Sequence, residues 1–324
     1  MTSIYNEKID EEIIKLFTFW IPSKSLRHKI RDKFCYMPLA DKYNDKIINR
    51  GESSQQVVIN ELRKDKPSLI CRFGSNEYFT VYEWLKKHKF SKSQKKTMGL
   101  GAGFFPTTDE YMKRFALESL KIAKDIDILA VWNLKEEETF CKKYVNPDVE
   151  FITIEDTCPI DSLNPWSAEL KGKKVLVIHP YVDTILEQFK KRDLLFKNEN
   201  ILPEFELKTI KAVQSIADEK ADLPYKDWFE ALDSMKKQID NTDFDIAIIG
   251  AGAYGMFLAH YCKTLGKKAI HMGGYTQLLF GILGKRWETY FPEIFKYANL
   301  EYWTRPQDKE KPKGFEKVEG GCYW

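Results

Sequence analysis

Asp243-Phe-Asp-Ile-Ala-Ile-Ile-Gly-Ala-Gly-Ala-Tyr-Gly255, running on through Met256-Phe-Leu-Ala-His-Tyr-Cys-Lys-Thr-Leu265 and Gly266 to Lys267-Lys-Ala-Ile-His-Met-Gly-Gly274, decides how this chain is read. The apolar run 246–249 predicts a buried strand, the glycines a sharp turn, and 253–265 a helix stopped by Gly266. A second strand over 269–272 completes a βαβ unit. Such a turn needs glycine, because a side chain would block the reversal or hold a bound phosphate off the backbone. The helix start then offers unpaired N–H groups and a positive dipole end to an anion. Gly250, Gly252, Ala253, Tyr254 and Gly255, with Gly273 and Gly274 after the second strand, are therefore candidate binding residues for a nucleotide or nucleotide-sugar diphosphate. The structural alternative is that the glycines only let strand and helix pack closely.

Gly250, Gly252 and Gly255 fit G-x-G-x-x-G, which points to a dinucleotide. An NAD site also wants an acid about 20 residues on to hold the ribose hydroxyls. His271 stands near that place, no Asp or Glu occurs between His260 and Trp287, and no second half of a dinucleotide fold follows. The expectation is a phosphate cradle without NAD.

At 324 residues, 43% hydrophobic and 31% charged, the composition is that of a globular α/β chain of one large or two small domains. A net charge of +3 does not imply nucleic acid. The cysteines at 35, 71, 141, 158, 262 and 322 show no C-x-x-C pair and no spacing matched to histidine, so reduced thiols in a cytoplasmic protein are expected. The opening acids, among them Glu7, Asp10 and Glu11, do not read as a signal peptide, and no apolar run of about 18 residues spans a bilayer.

Residues 1–60 read as an N-terminal helical arm. Ile13, Ile14, Leu16, Phe17, Phe19, Trp20 and Ile21 precede Lys24, Arg27, His28, Lys29, Arg31 and Lys33. An aromatic patch joined to a basic helix suits an anionic membrane surface, so residues 13–34 are expected to make peripheral contact with the inner face of the membrane. The alternative is an arm docked on its own domain. Residues 36–51 read as a polar connector and 53–64 as a helix.

The domain over 61–300 alternates strands (68–73, 126–132, 151–154, 173–178, 205–213, 246–249, 269–272) with helices (77–87, 109–123, a helix after 181, 228–239, 253–265). The segment 98–106 reads as an irregular glycine-rich loop. This alternation predicts a Rossmann-like, mainly parallel sheet with helices on both faces. The tail 301–324 reads as a charged surface excursion over 305–317 whose last apolar residues dock. Ligands of such sheets bind beyond the carboxyl ends of the strands. That gathers Arg72, Gly74, Ser75, Asn76 and Glu77, Asn133, the acidic loop with Glu155, Asp156 and Asp161, His179 and Tyr181, Gln214, and the 250–255 turn into one cleft.

With these residues assembled, the chain resembles the GT-D type of bacterial glycosyltransferase. Cys71-Arg-Phe-Gly-Ser-Asn-Glu77 is similar to that family's Arg-Phe-Gly-Asp-Gly-Glu, and 246–274 is similar to its late strand, glycine turn and helix; the likeness spans roughly residues 55–290. The resemblance implies a Rossmann-like fold and transfer of a sugar from a UDP-sugar to a glycan or lipid-linked acceptor in capsule, lipopolysaccharide or glycoprotein assembly. It also implies a divalent metal, Mn or Mg, on the Asp-x-Glu of the first turn. Here Ser75 replaces the aspartate and leaves Glu77, with the acidic loop the remaining source of carboxylates. The family's histidine after the late second strand has no direct counterpart, since His271 lies a few positions early.

Glycosyl transfer needs a base for the acceptor hydroxyl and positive charge on the departing diphosphate. Glu77 is the first candidate for base or metal ligand, with Asp183 and His271 in reserve. Arg72, whose planar fork suits phosphate oxygens, and the backbone over 252–254 are candidates for the diphosphate. Tyr181, Tyr254 or Trp166 would stack on the base. The competing readings are an NAD(P)-dependent oxidoreductase, which G-x-G-x-x-G favours, and a non-catalytic scaffold, which Ser75 favours.

Overall fold

Runs of β-branched and aliphatic residues with no polar face build strands that are covered on both sides, and among the described residues they form one nine-stranded sheet. The computed structural model describes residues 16–22, 26–27, 30, 39–217, 222–318 and 320–324. The strands are β1 (Lys42–Tyr43), β2 (Lys46–Asn49), β3 (Ser68–Arg72), β4 (Ile128–Val131), β5 (Glu150–Thr153), β6 (Lys174–His179), β7 (Glu206–Lys211), β8 (Ile246–Ile249) and β9 (Lys268–His271). Their order is β1-β2-β5-β4-β3-β9-β8-β6-β7, and every pairing is parallel except β1 with β2. The predicted α/β class and parallel sheet are thus what the chain forms.

Successive side chains of a strand point to opposite faces. Leu69, Cys71, Leu129, Val131, Leu176, Ile178, Ala247 and Ile249 enter one core, against helices Ser75–Lys87, Asp109–Ala123, Trp228–Asp240 and Tyr254–Thr264. Ile70, Ile128, Ala130, Val175, Val177, Ile246, Ile248 and Ile270 enter the other, against helices Glu52–Arg63, Val182–Phe189 and Tyr275–Leu279. A register slip of one residue would exchange the two sets, so the packing of both faces fixes the register.

The expected connector over 36–51 is corrected at its described part. Asn44 and Asp45, both at positive φ, make a two-residue turn between β1 and β2, and Tyr43 and Ile48 are buried. Asn and Asp tolerate that backbone, which is why a hairpin forms here. The glycine-rich segment 98–106 is helical at its start, within helix Lys92–Leu100, where Ser91 accepts from the Gln94 amide at 3.0 Å. Of the N-terminal arm, residues 1–15, 23–25, 28–29 and 31–38 lie outside the described residues, and with them most of the expected basic helix. Leu16, Phe17, Phe19 and Trp20 are exposed. Among the described residues no helix is long and apolar enough to cross a membrane.

The tail is no surface excursion throughout. Glu310 is buried, and its carboxylate accepts from the amides of Asp183 (2.9 Å) and Thr184 (3.4 Å) and from the Thr184 hydroxyl. It thereby caps a helix that has no capping side chain of its own.

Candidate functional site

The chain leaving β6 enters helix Val182–Phe189 on one face of the sheet, and the chain leaving the adjacent β8 enters helix Tyr254–Thr264 on the other. Two neighbouring strands whose exits diverge leave a crevice beyond their carboxyl ends. A cavity of about 120 Å³ lies there, and Arg72, His179, Tyr181, Gln214, Gly250, Gly252, Tyr254, Gly273 and Gly274 all line it. A smaller void beside it is lined by Arg72, Gly74, Glu77, Gly252, Ala253 and His271. Arg72 and Gly252 belong to both, so the turns after β3, β8 and β9 do converge.

Arg72 closes β3, and its guanidinium is held from two sides. It lies 5.7 Å from the centre of the Trp132 ring, and a Cβ on Gly273 would meet its Nη2 at 2.5 Å. No carboxylate of the described residues pairs with it, and Nε is buried without a hydrogen-bond partner. The Glu77 carboxylate acts on it electrostatically without forming an ion pair, so this partly buried cation is incompletely balanced, and a bound anion would complete it.

The β8 turn supplies donors. Gly252 is exposed at positive φ, and a methyl there would meet nothing within 4 Å. The Tyr254 and Gly255 amides donate to Ala251 and Gly252 carbonyls, at 3.1 and 3.0 Å. The Tyr254 amide is thus already used, and Gly252 and Ala253, which line the smaller void, stand at the helix start. Gly250 is required by packing: a Cβ would lie 2.5 Å from the His179 ring and 2.7 Å from the Gly273 carbonyl.

His179 is buried, which depresses its pKa to about 3 and keeps the ring neutral. Its Nδ1 accepts from the Tyr181 amide at 3.0 Å, so the proton sits on Nε2, an uncharged donor on a ring that lines the cavity. Gln277, which the sequence reading missed, gives its Nε2 to the carbonyls of Ile282 and Leu283 at 3.3 and 3.2 Å, a fixed amide at the wall.

Glu77 folds its carboxylate back over Gly74, where a Cβ would come within 2.0 Å of Oε2. Burial raises its pKa above the ordinary carboxylate value, and its own amide and Arg72 offset part of that. His271 is stacked on Gly255, whose Cβ would lie 2.2 Å from Nε2; burial first, then the Arg72 charge, depress its pKa to about 3.

The remaining candidates are placed elsewhere. Asp183 lies outside both cavities, paired with Lys309 at 2.8 Å. Ser75 and Asn76 line neither cavity, although Asn76 Nδ2 lies 3.0 Å from where a Cβ on Gly101 would stand, and Gly101 does line the larger one. Trp166 is core, donating to the Thr157 carbonyl at 3.1 Å, and the Tyr254 ring is stacked 4.6 Å from Trp228, its hydroxyl 2.9 Å from Ser215 Oγ. Of the three aromatics considered for base stacking, Tyr181 and Tyr254 line the cavity. Tyr323 and Trp324 also wall it, which no local pattern announced.

A resident divalent metal does not fit this donor set. Glu77 is the carboxylate beside the cavities, its charged neighbour is Arg72, and Asp156 is committed to the Gly51 amide (2.9 Å) and the hydroxyls of Ser54 and Thr153 (both 2.6 Å). Among the described residues no group of three His, Cys, Asp or Glu side chains is placed to hold an ion.

No family model matches the chain, and no curated protein matches it in sequence. Two solved structures resemble it in part. One is described as a selenomethionine-substituted domain of unknown function 1792, with TM-score 0.40 at 12% identity over 71% of this chain and 79% of that one. The other is described as the same domain having a distinct glycosyltransferase fold, with TM-score 0.41 at 12% identity over 71% and 78%.

Proposed function

We propose that this chain is a glycosyltransferase of the GT-D type, moving a sugar from a nucleotide-sugar donor, a UDP-sugar on the resemblance, to a glycan or lipid-linked acceptor of surface polysaccharide assembly. The observation that carries the reading is Arg72: a guanidinium clamped between Trp132 and Gly273, in no ion pair, beside the glycine turn of Gly252 and Ala253 at the helix start. Together they suit a diphosphate whose negative charge grows as the glycosidic bond breaks. His179 Nε2–H adds a donor whose charge does not change with pH in the neutral range. Glu77, ionised above its raised pKa, takes the proton of the acceptor hydroxyl. Arg72→Gln removes a charge-assisted contact worth about 1.5–3 kcal/mol, so UDP should bind roughly 10- to 100-fold more weakly. Calorimetry with a panel of nucleotide sugars, with and without Mn²⁺ and with NADH as the oxidoreductase control, tests the reading. Binding of NADH alone, or of nothing in the panel, overturns it.

The second reading is a non-catalytic scaffold with the same fold, which Ser75 and the poor metal donor set favour. Detectable transfer, or hydrolysis of the donor, dismisses it. For either reading we place the chain against an anionic bilayer through the exposed Leu16, Phe17, Phe19 and Trp20 and the basic residues that follow them in sequence.

A further inference from the structure

The smaller void at the strand ends has a volume of about 10 Å³, room for a single water molecule. Two polar side chains on its wall are short of partners. Arg72 Nε is buried with no acceptor, and His271, 4% exposed, has a hydrogen-bond partner at neither ring nitrogen. A third, Glu77, turns its carboxylate back over Gly74 within the same wall. The rest of the lining is Phe73, Phe115, Met256, glycine and alanine, so no other charged or titratable residue lines the void.

Arg72 and Glu77 border this void and feel each other's charge, yet they form no ion pair. Polar groups that couple from beyond hydrogen-bond reach are commonly joined by a water. His271 supplies the third contact. Burial first, then the Arg72 charge, keep the ring neutral, so it carries one N–H and one acceptor nitrogen. The Arg72 backbone favours a proton on the ring without closing a hydrogen bond, which leaves the other nitrogen to accept from elsewhere. The ring is also fixed in place, since a Cβ on Gly255 would stand 2.2 Å from its Nε2.

We infer that this void is a water site, in which one water accepts from Arg72 Nε–H and donates to the Glu77 carboxylate and to the unprotonated nitrogen of His271, making His271 a positioning residue for Glu77. Three hydrogen bonds are what a buried water ordinarily makes. The inference rests on the nucleotide-sugar reading for what Glu77 does with its proton, but not for the water or its hold on the carboxylate. A donor to a carboxylate favours the charged form, so the water keeps the Glu77 titration below where burial alone would put it.

A crystal structure at a resolution that shows ordered solvent should place one peak in this void, within hydrogen-bond distance of all three groups. An empty void, or a peak that misses His271, overturns the inference. In solution the Glu77 carboxyl is followed by carbon NMR, its signal assigned by its loss in Glu77→Gln. His271→Leu, similar in size and without nitrogen, should move that titration to higher pH by about 1 pH unit. His271→Asn and His271→Gln, which put a polar atom near the places of Nδ1 and Nε2, should bring it back in at least one case. Circular dichroism shows which variants fold, and if His271→Leu does not, the wild-type solvent peak decides. A titration unmoved in folded His271→Leu, or moved equally in all three variants, makes His271 a packing residue and refutes the water site. A solvent peak in place and a titration that follows the nitrogen, in a chain that binds no nucleotide sugar, uphold the water site and refute the donor assignment alone.

Discussion

The guanidinium of Arg72 rests on the α-carbon of Gly273, so closely that a methyl built there would stand 2.5 Å from Nη2. Gly273 also has φ +60. Gly273→Ala should therefore act twice, costing about 1–2 kcal/mol in backbone strain and pushing the cation out of its slot. Urea unfolding measures the first effect, and loss of at least tenfold in UDP affinity at a temperature where the variant is folded measures the second. Unchanged affinity would detach Arg72 from the ligand.

Glu77 titrates above the ordinary carboxylate range because burial disfavours its anion. Its charged form is the one proposed to act, so kcat/KM should rise with pH across a limb lying above the value of a free glutamate. Glu77→Gln should remove that limb and lower turnover by about 10²-fold or more. A variant with wild-type rate and pH profile excludes Glu77 as the base.

Glu137 gives a pH effect on stability that is independent of function. Burial raises its pKa to about 7, although the Leu134 and Trp132 amides and the Tyr43 hydroxyl donate to it at 3.1, 3.2 and 3.3 Å. The folded state then holds a proton that the unfolded chain releases near 4.5. Stability must fall as pH rises between those two values, by on the order of 3 kcal/mol. Glu137→Gln should flatten that slope in urea midpoints taken at pH 5 and pH 8. An equally steep variant would place the titration elsewhere.

Phe17→Ser with Trp20→Ser should abolish co-sedimentation with vesicles rich in phosphatidylglycerol while leaving the fold unchanged by circular dichroism. Wild-type chain should bind those vesicles and not pure phosphatidylcholine, and should release as salt rises, since the attraction is partly electrostatic. Indifference to lipid charge or to the double substitution would remove the membrane from the account.

The sheet was readable because its strands are buried on both faces, so their apolar runs are continuous and sit between glycine turns; 246–249 matches to the residue. The β1–β2 hairpin escaped because two apolar anchors, Tyr43 and Ile48, give no period. Its signal was Asn44-Asp45, a pair that accepts positive φ. In the site, strand ends told which residues meet, whereas the state of each did not follow from sequence. That His179 is neutral with its proton on Nε2 depends on burial and on the Tyr181 amide. The exclusion of Asp183 depends on where the tail meets the start of helix Val182–Phe189, and the recruitment of Tyr323 and Trp324 on the same return of the tail, a contact made more than a hundred residues away.

The two outer strands have a consequence for self-association. Among the described residues β1 is two residues long and β7, at the other border of the sheet, carries Glu206, Lys208 and Lys211. Neither border offers the long, uncharged template on which a second copy could add its own strand. If copies of this chain pair in solution, they should do so helix to helix, and the sheet of each should stay finite.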